Sequence, residues 1–252
     1  LYINIFIVKA ISLCMNIDYT PIDYNTWDFS GQGKNILPLL TDSQRIVWER
    51  ALPYQDTRKG EIGHAEMATY LAIKFIGLLR ENTKLDIDED VVIAGIINHD
   101  IGWSQVSQAE RDLFYVEDID PKIGKAVWER YEPILRERHQ EIGTELARDL
   151  LKGQGDFLNP RQRAQVYGII FQHDTGKEFL SVEDGIVKSA DRAWRYTLPC
   201  VKIAREEREW SEQVLNEKLE EWLKDPNFLY HDIFREAAMR EGNSAMAAYN
   251  KS

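Results

Sequence analysis

The segment Ile96-Ile97-Asn98-His99-Asp100-Ile101-Gly102-Trp103 decides the fold, because an apolar helical run ends there in a histidine and an aspartate. An imidazole nitrogen suits zinc, iron, cobalt, nickel or copper, and a carboxylate oxygen also suits manganese or magnesium. The two adjacent side chains can therefore direct one nitrogen and one oxygen at a single ion. A His-Asp pair alone is more often an ordinary polar helix end, so its interpretation depends on the rest of the chain.

Length, charge and cysteine content limit the classes of protein to which the chain can belong. With 252 residues and 44% hydrophobic content, the chain is expected to form one globular domain with an appendage. A net charge of -11 disfavours polymeric nucleic acid and anionic membrane surfaces as partners. The two cysteines, Cys14 and Cys200, provide neither a disulfide framework nor a thiolate zinc site, which favours a reducing, cytoplasmic location.

The first residues of the chain are apolar, but the run over 1–13 is too short to span a bilayer as a helix. It also lacks the basic start and the small-residue cleavage site of a signal peptide. We therefore expect no membrane association. Residues 1–14 are interpreted as an upstream, non-native extension or as the remnant of a longer product, because the chain begins with Leu1 and Met15 is followed by polar sequence.

Hydrophobic periodicity predicts an all-α protein, with no segment of convincing strand alternation. Capping residues and prolines set the expected helix ends. The predicted helices are one capped by Thr41 and stopped by Pro53, then 61–80, 88–98, 121–131, 134–152, one after Asn159, one after Ser181, a long one after Pro199, and one over 231–240. This pattern divides the chain into an N-terminal arm and helix (1–57), a metal-binding core (58–198) and a C-terminal helical extension packed on the core (199–252).

Several polar residues fall on faces that should be buried. His64 and His139 each share a helical stripe with apolar residues, and His99-Asp100 and His173-Asp174 each end an apolar helix. A lone histidine on such a face is usually a core residue bonded to the backbone. Burying four imidazoles and two carboxylates without a cation would leave several unpaired polar groups, each costing about 1–3 kcal/mol. The sequence therefore predicts a metal site formed by His64, His99, Asp100, His139, His173 and Asp191.

These residues, in this order, resemble the HD superfamily of metal-dependent phosphohydrolases, over roughly residues 58–195. Because it includes His139 and His173, the set is similar to that of the two-metal branch of this superfamily. The resemblance implies an HD-domain-like helical bundle that binds two divalent ions, drawn from Mn, Fe, Co, Zn, Ni or Mg. One ion would be held by His64, His99, Asp100 and Asp191 and the other by His139 and His173, with Asp100 bridging both.

The resemblance also implies a reaction. The substrate would be a small phosphorylated compound, nucleotides included, and the attacking group a hydroxide activated by the two ions. Asp100 is the central catalytic residue in this interpretation. Arg58, Lys177 and Arg192 are the positive residues nearest to the ligands in sequence and are the candidates for contacting phosphoryl oxygens. Solvated surface charge is the alternative interpretation for each of these three.

The chain departs from the family pattern at two points. Trp103 stands where many HD enzymes carry a lysine. A side chain that fills the core explains this residue more readily than one that stacks on a nucleobase. The segment after His173 lacks the Gly-Tyr-Pro signature of the cyclic-dinucleotide branch. His231-Asp232 lies beyond the motif and is not expected to join the site.

Two other functions remain open. The same six ligands also resemble the mixed-valence di-iron oxygenases related to inositol oxygenase, which act on a small diol or amino alcohol. A non-catalytic regulatory module is the third interpretation. Ligand identity does not separate these functions, and the sequence does not indicate an oligomeric state.

Overall fold

A computed structural model describes residues 17–55, 62–112, 121–152 and 157–251, with the side chains of 112, 121–125 and 128 excepted. Within these ranges the regular structure is helical and contains no β-strand, which confirms the predicted all-α class. The helices are α1 (Asp42–Ala51), α2 (His64–Asn82), α3 (Glu89–Asn98), α4 (Gln108–Asp112), α5 (Pro121–Leu150), α6 (Pro160–Gln172), α7 (Val182–Ala193), α8 (Leu198–Lys202), α9 (Glu212–Lys224) and α10 (Asp232–Tyr249).

Helix α3 lies at the centre of the fold and packs against α1, α2, α6 and α7. Its residues from Val91 to Asn98 are all buried, which explains why this part of the sequence is apolar on every face. Asp88 caps the helix by accepting a hydrogen bond from the backbone N–H of Val91. The helix therefore carries His99 and Asp100, which follow it directly, into the interior.

Helix α5 differs from the prediction. Two helices separated at Pro133 were expected, but a single helix runs from Pro121 to Leu150 with Pro133 inside it. Proline lacks the N–H that would bond one turn back and costs about 3 kcal/mol in a helix interior. The second half of α5 packs against α6 and against the 3₁₀ turn Ile101–Gln105, so tertiary contacts override the local preference.

The segment after Pro199 also differs, because the one long amphipathic helix expected there is broken. Helix α8 passes into a π-helical turn, Ile203–Glu207, and α9 begins only at Glu212. Glu209 adopts a left-handed conformation with φ of 53°, which a continuous helix does not allow. Ser211 then starts α9 by accepting a hydrogen bond from the N–H of Val214.

Helix α10 is longer than predicted and continues past residue 240 to Tyr249. Ala245 is fully buried, so the tail of this helix belongs to the core. Phe234 of α10 stacks on Phe75 of α2 with ring centroids 4.1 Å apart. Helix α10 thus packs against the same helix that carries His64. No helix in the described ranges combines the length and the apolar character needed to cross a membrane.

The N-terminal arm, residues 17–36, is irregular as its composition suggests. Trp27 meets the ring of Tyr70 edge-on at 5.0 Å, and Phe29, although 40% exposed, lies beneath the ammonium group of Lys202 in α8. Two buried glutamates also hold the arm. Glu66 of α2 accepts hydrogen bonds from the backbone N–H groups of Gly33 and Asn35. Glu241 of α10 accepts three, donated by Tyr19, Ile22 and Tyr24.

Candidate metal centre

The fold brings the six predicted ligands together. His64 begins α2, His139 lies in α5 and Asp191 in α7, while His99-Asp100 and His173 follow the ends of α3 and α6. The Nε2 atom of His64 lies 3.3 Å from Oδ1 of Asp191. The Nε2 atoms of His139 and His173 lie 3.4 and 3.3 Å from Oδ1 of Asp100. Five helices therefore supply one cluster.

Asp100 divides this cluster into two groups. Its Oδ2 atom lies 3.6 Å from Nε2 of both His64 and His99, whereas its Oδ1 atom faces His139 and His173. His64, His99 and Asp100 form one group that could hold a metal ion, and Asp100, His139 and His173 form a second. One carboxylate is therefore shared by two sets of imidazoles, one set on each oxygen.

Backbone carbonyls fix the orientation of three imidazoles. The Nδ1 atoms of His99 and His173 lie 2.7 and 2.9 Å from the carbonyl oxygens of Ile96 and Ile170, three residues earlier in each case. Nδ1 of His139 lies 3.2 Å from the carbonyl oxygen of Leu135. In its neutral form each ring then donates its proton from Nδ1, and the lone pair of Nε2 points into the cluster.

This orientation brings two nitrogen atoms that both carry lone pairs close together. The Nε2 atoms of His139 and His173 are 3.3 Å apart, although both rings use Nδ1 to bond the backbone. Two buried lone pairs at this distance repel each other unless a cation or a proton lies between them. Metal bonds of about 2.0–2.2 Å at angles of roughly 90–110° separate neighbouring ligand atoms by about 2.8–3.6 Å. The donor spacing in the cluster thus fits a metal ion.

His64 is held differently from the other three histidines. Its Nε2 atom lies 3.1 Å from Nε2 of His99, but its buried Nδ1 atom has no hydrogen-bond partner among the described residues. The ring of Trp194 meets it edge-on at 4.9 Å. Packing, rather than a backbone tether, therefore orients this imidazole.

The cluster is open to solvent along its carboxylates. The four imidazole side chains are between 0 and 5% exposed, whereas the Asp100 and Asp191 side chains are 17 and 13% exposed. A ligand arriving from solvent would therefore meet the carboxylate edge first, with the imidazoles lying beneath it.

Trp103 supports the shared carboxylate from inside the protein. Its indole Nε1 donates a hydrogen bond of 3.2 Å to Oδ1 of Asp100, and its ring stacks on His139 at 4.2 Å. The side chain is 2% exposed. Trp103 thus fills the core beside the cluster, and its buried ring is not available to stack on a nucleobase.

Asp174 and Gln140 are site residues that the sequence interpretation did not select. Oδ2 of Asp174 lies 3.6 Å from Nε2 of His139, and its Oδ1 lies 2.5 Å from Nη1 of Arg136. Burial opposes ionisation of this carboxyl, but Arg136, His173 and His139 lower its pKa. The side-chain oxygen of Gln140 accepts hydrogen bonds from the backbone N–H groups of residues 174 and 175. A repeated His-Asp pair at a helix end was the sequence signal for Asp174.

The three predicted positive residues are not placed alike. Arg58 lies outside the described residues, and Lys177 is exposed. Nη1 of Arg192 donates to the backbone carbonyl oxygens of Asn227 and Phe228, which ties α7 to the loop before α10. His231 caps α10, where its Nδ1 accepts a hydrogen bond from the N–H of Ile233, and this gives the third His-Asp pair a structural explanation.

Protonation states in the metal-free cluster follow from burial and charge. Burial lowers the pKa of His99, but the Asp100 and Asp191 carboxylates outweigh it and raise this pKa to about 9. Burial also lowers the pKa of His139, and for this residue burial is the largest effect, so the net shift is downward. Hydrogen bonds from His64 and His99 overcome burial at Asp191 and hold the pKa of that carboxyl well below its ordinary value. At neutral pH His99 in the metal-free protein is therefore an imidazolium, with a proton on each ring nitrogen.

Metal binding at pH 7.5 is expected to release at least about one proton per chain, because a ligating imidazole must be neutral. A raised pKa also means that this proton stabilises the metal-free fold fully below the ordinary imidazole value of about 6.5, and that the stabilisation is lost as pH rises through about 9. Affinity for the metal should therefore increase over that range.

Calorimetric titration in buffers with different ionisation enthalpies measures this proton release. A binding enthalpy that does not depend on the buffer would contradict the prediction.

Comparison with known proteins gives no match to this chain: no family model, no curated protein and no solved structure is significantly similar to it.

Proposed function

We propose that this protein is a two-metal phosphohydrolase of the HD type that acts on a small phosphorylated compound, nucleotides included. The observation that carries the proposal is that the two oxygens of the Asp100 carboxylate face different pairs of histidines. Oδ2 faces His64 and His99, and Oδ1 faces His139 and His173. Two divalent ions in such a site, when bound, supply Lewis-acid activation of water and charge stabilisation for phosphoryl transfer.

The residues of the chain have separate parts in this proposal. Asp191 completes the group of His64 and His99, and its lowered pKa keeps it ionised. The backbone tethers of His99 and His173 hold their Nε2 atoms in place, so little reorganisation is needed when a ligand binds. Trp103 donates a hydrogen bond to one oxygen of Asp100 and so helps to fix the orientation of this carboxylate.

Charge at the open edge indicates why an anionic substrate would need the metal. Three carboxylates lie there, and in the metal-free protein the guanidinium groups of Arg136 and Arg192 and the protonated His99 balance their charge. Without metal this edge therefore offers a phosphate group little net attraction. With two divalent cations bound the edge becomes positive, so metal occupancy and binding of a phosphorylated substrate should be linked.

The experiment that tests this proposal begins with metal analysis of protein purified without added metal. Phosphate release is then measured with Mn²⁺, Co²⁺, Zn²⁺, Ni²⁺, Mg²⁺ or Fe²⁺ on nucleoside phosphates, sugar phosphates and a generic aryl phosphate. We expect two ions per chain and phosphate release that a chelator abolishes.

Other outcomes of the same experiment favour the alternatives. Bound iron, oxygen uptake on adding a small diol or amino alcohol, and no phosphate release would replace the proposal with the di-iron oxygenase. A chain that binds no metal would fit a non-catalytic regulatory module.

A further inference from the structure

We infer that Asp174 is a fourth protein ligand of the second ion, the one that His139, His173 and Asp100 would hold. Its Oδ2 atom lies 3.6 Å from Nε2 of His139. Oδ1 of Asp191 lies at the same distance from Nε2 of His99 in the other group. Asp174 therefore makes toward His139 one of the two contacts that Asp191 makes in the first group, where Oδ1 of Asp191 also lies 3.3 Å from Nε2 of His64. This inference rests on the two-metal centre proposed above.

The backbone places the two His-Asp pairs in equivalent positions. His99 follows α3 with φ and ψ of -58° and -40°, and His173 follows α6 with -58° and -36°. Each histidine bonds the carbonyl oxygen three residues earlier through Nδ1. Helices α3 and α6 pack against each other, so the two pairs end side by side. Asp174 thus follows the end of its helix at the same position in the chain as Asp100 does.

The surroundings of Asp174 suit a metal ligand. Nη1 of Arg136 contacts Oδ1, and Oδ2 is the oxygen that faces His139. Carboxylates that bind metals are commonly held by such a second contact, which fixes the free oxygen toward the ion. Gln140, next to His139 in α5, holds the backbone N–H of Asp174 at 2.9 Å. Helix α5 therefore supplies the proposed ligand His139 and also Arg136 and Gln140, which hold Asp174 beside it.

With this assignment the two ions have matched environments. The first has two imidazoles and two carboxylates, from His64, His99, Asp100 and Asp191. The second has the same set, from His139, His173, Asp100 and Asp174. Equal numbers of nitrogen and oxygen donors, and equal charge, predict similar affinities for a metal such as Mn²⁺, which accepts both donor types.

Titration of Mn²⁺ into the metal-free full chain tests this assignment, followed by calorimetry and by electron paramagnetic resonance of the spin-coupled ion pair. Wild type is expected to bind two ions with a coupled signal. Asp174→Asn should weaken the second ion by at least about tenfold, since loss of even an outer partner of a ligand costs 10–100-fold, and the coupled signal should give way to that of an isolated ion.

The chain offers a matched control, because Arg136 also pairs with Glu132 through its Nε atom. Glu132→Gln removes a carboxylate from the same arginine without touching the cluster, and it should retain both ions. Asp174→Ser, which removes the carboxylate without leaving an amide against Arg136, is titrated alongside, and circular dichroism verifies that each variant is folded.

Unchanged binding of two ions by folded Asp174→Asn or Asp174→Ser would overturn the assignment. So would an equal loss in Glu132→Gln, or a wild type that binds fewer than two ions. Failure of the proposed hydrolase is seen separately. A protein that binds two ions in an Asp174-dependent way but releases no phosphate keeps the ligand assignment and loses the activity.

Discussion

Replacement of Asp100 by alanine is expected to remove both metal ions and to lower metal-dependent activity by at least about 10³-fold. Each oxygen of this carboxylate faces a different pair of histidines, so one substitution takes a ligand from both groups. It also removes the acceptor for the indole N–H of Trp103. Metal content after dialysis and the rate of phosphate release measure the two effects.

The control for this substitution is His231→Ala. His231 belongs to the third His-Asp pair, but it caps α10 rather than joining the cluster. Its loss should cost about 1 kcal/mol of stability, as other capping side chains do, and should leave metal content and activity unchanged. Equal losses from the two substitutions would mean that the wrong histidines have been assigned to the site.

Replacement of Gly102 by alanine is expected to destabilise the fold by about 3 kcal/mol, at the upper end of the cost of overpacking. A Cβ atom on Gly102 would lie 1.8 Å from the carbonyl oxygen of His139 and 2.6 Å from the backbone nitrogen of Gly143. These are backbone atoms of α5, which cannot move without displacing His139. Chemical denaturation should show the loss of stability, and metal titration should show weakened binding at the second group.

Gly168→Ala is the matched control for this prediction. Gly168 lies in α6, is exposed, and has no atom within 4 Å of an added Cβ. Alanine favours a helix over glycine by up to about 1 kcal/mol, so this variant should be slightly more stable than wild type. If Gly102→Ala behaved like Gly168→Ala, the close approach of α5 to the Ile101–Gln105 turn would be wrong.

Helix starts were the part of the fold that the sequence predicted best, because capping is a local interaction. Thr41 and Asn159 both form complete capping boxes, with Gln44 and Gln162 respectively. Ser181 caps α7 through the N–H of Asp184. In each case the information lies within three or four residues, so neighbouring sequence is sufficient.

Helix continuity could not be predicted in the same way. Pro133 would normally end a helix, and whether α5 continues through it depends on contacts with α6, whose position the local sequence does not give. The break near Glu209 has the opposite character, since apolar spacing suggested continuity where the backbone turns left-handed. Both errors arise where tertiary packing decides between two acceptable local conformations.

The candidate site shows a similar limit. His64, His139 and Asp191 could be found because each lies on an apolar helical face. Asp174 was passed over because its contact with His139 depends on how closely α5 approaches the end of α6. Glu66, which holds the N-terminal arm, has no distinguishing pattern in the sequence. Its partners are two backbone N–H groups and the side-chain amide of Asn35, all more than 30 residues away.

The deep burial of the imidazoles has a kinetic consequence. A ring such as His99 or His173 cannot rotate away from an ion in the proposed site without breaking its bond to a backbone carbonyl. An ion would therefore leave by the carboxylate edge, where the Asp100 and Asp191 side chains are partly exposed. Exchange should then be slow compared with simple side-chain motion, and a chelator should remove the ion without unfolding the chain.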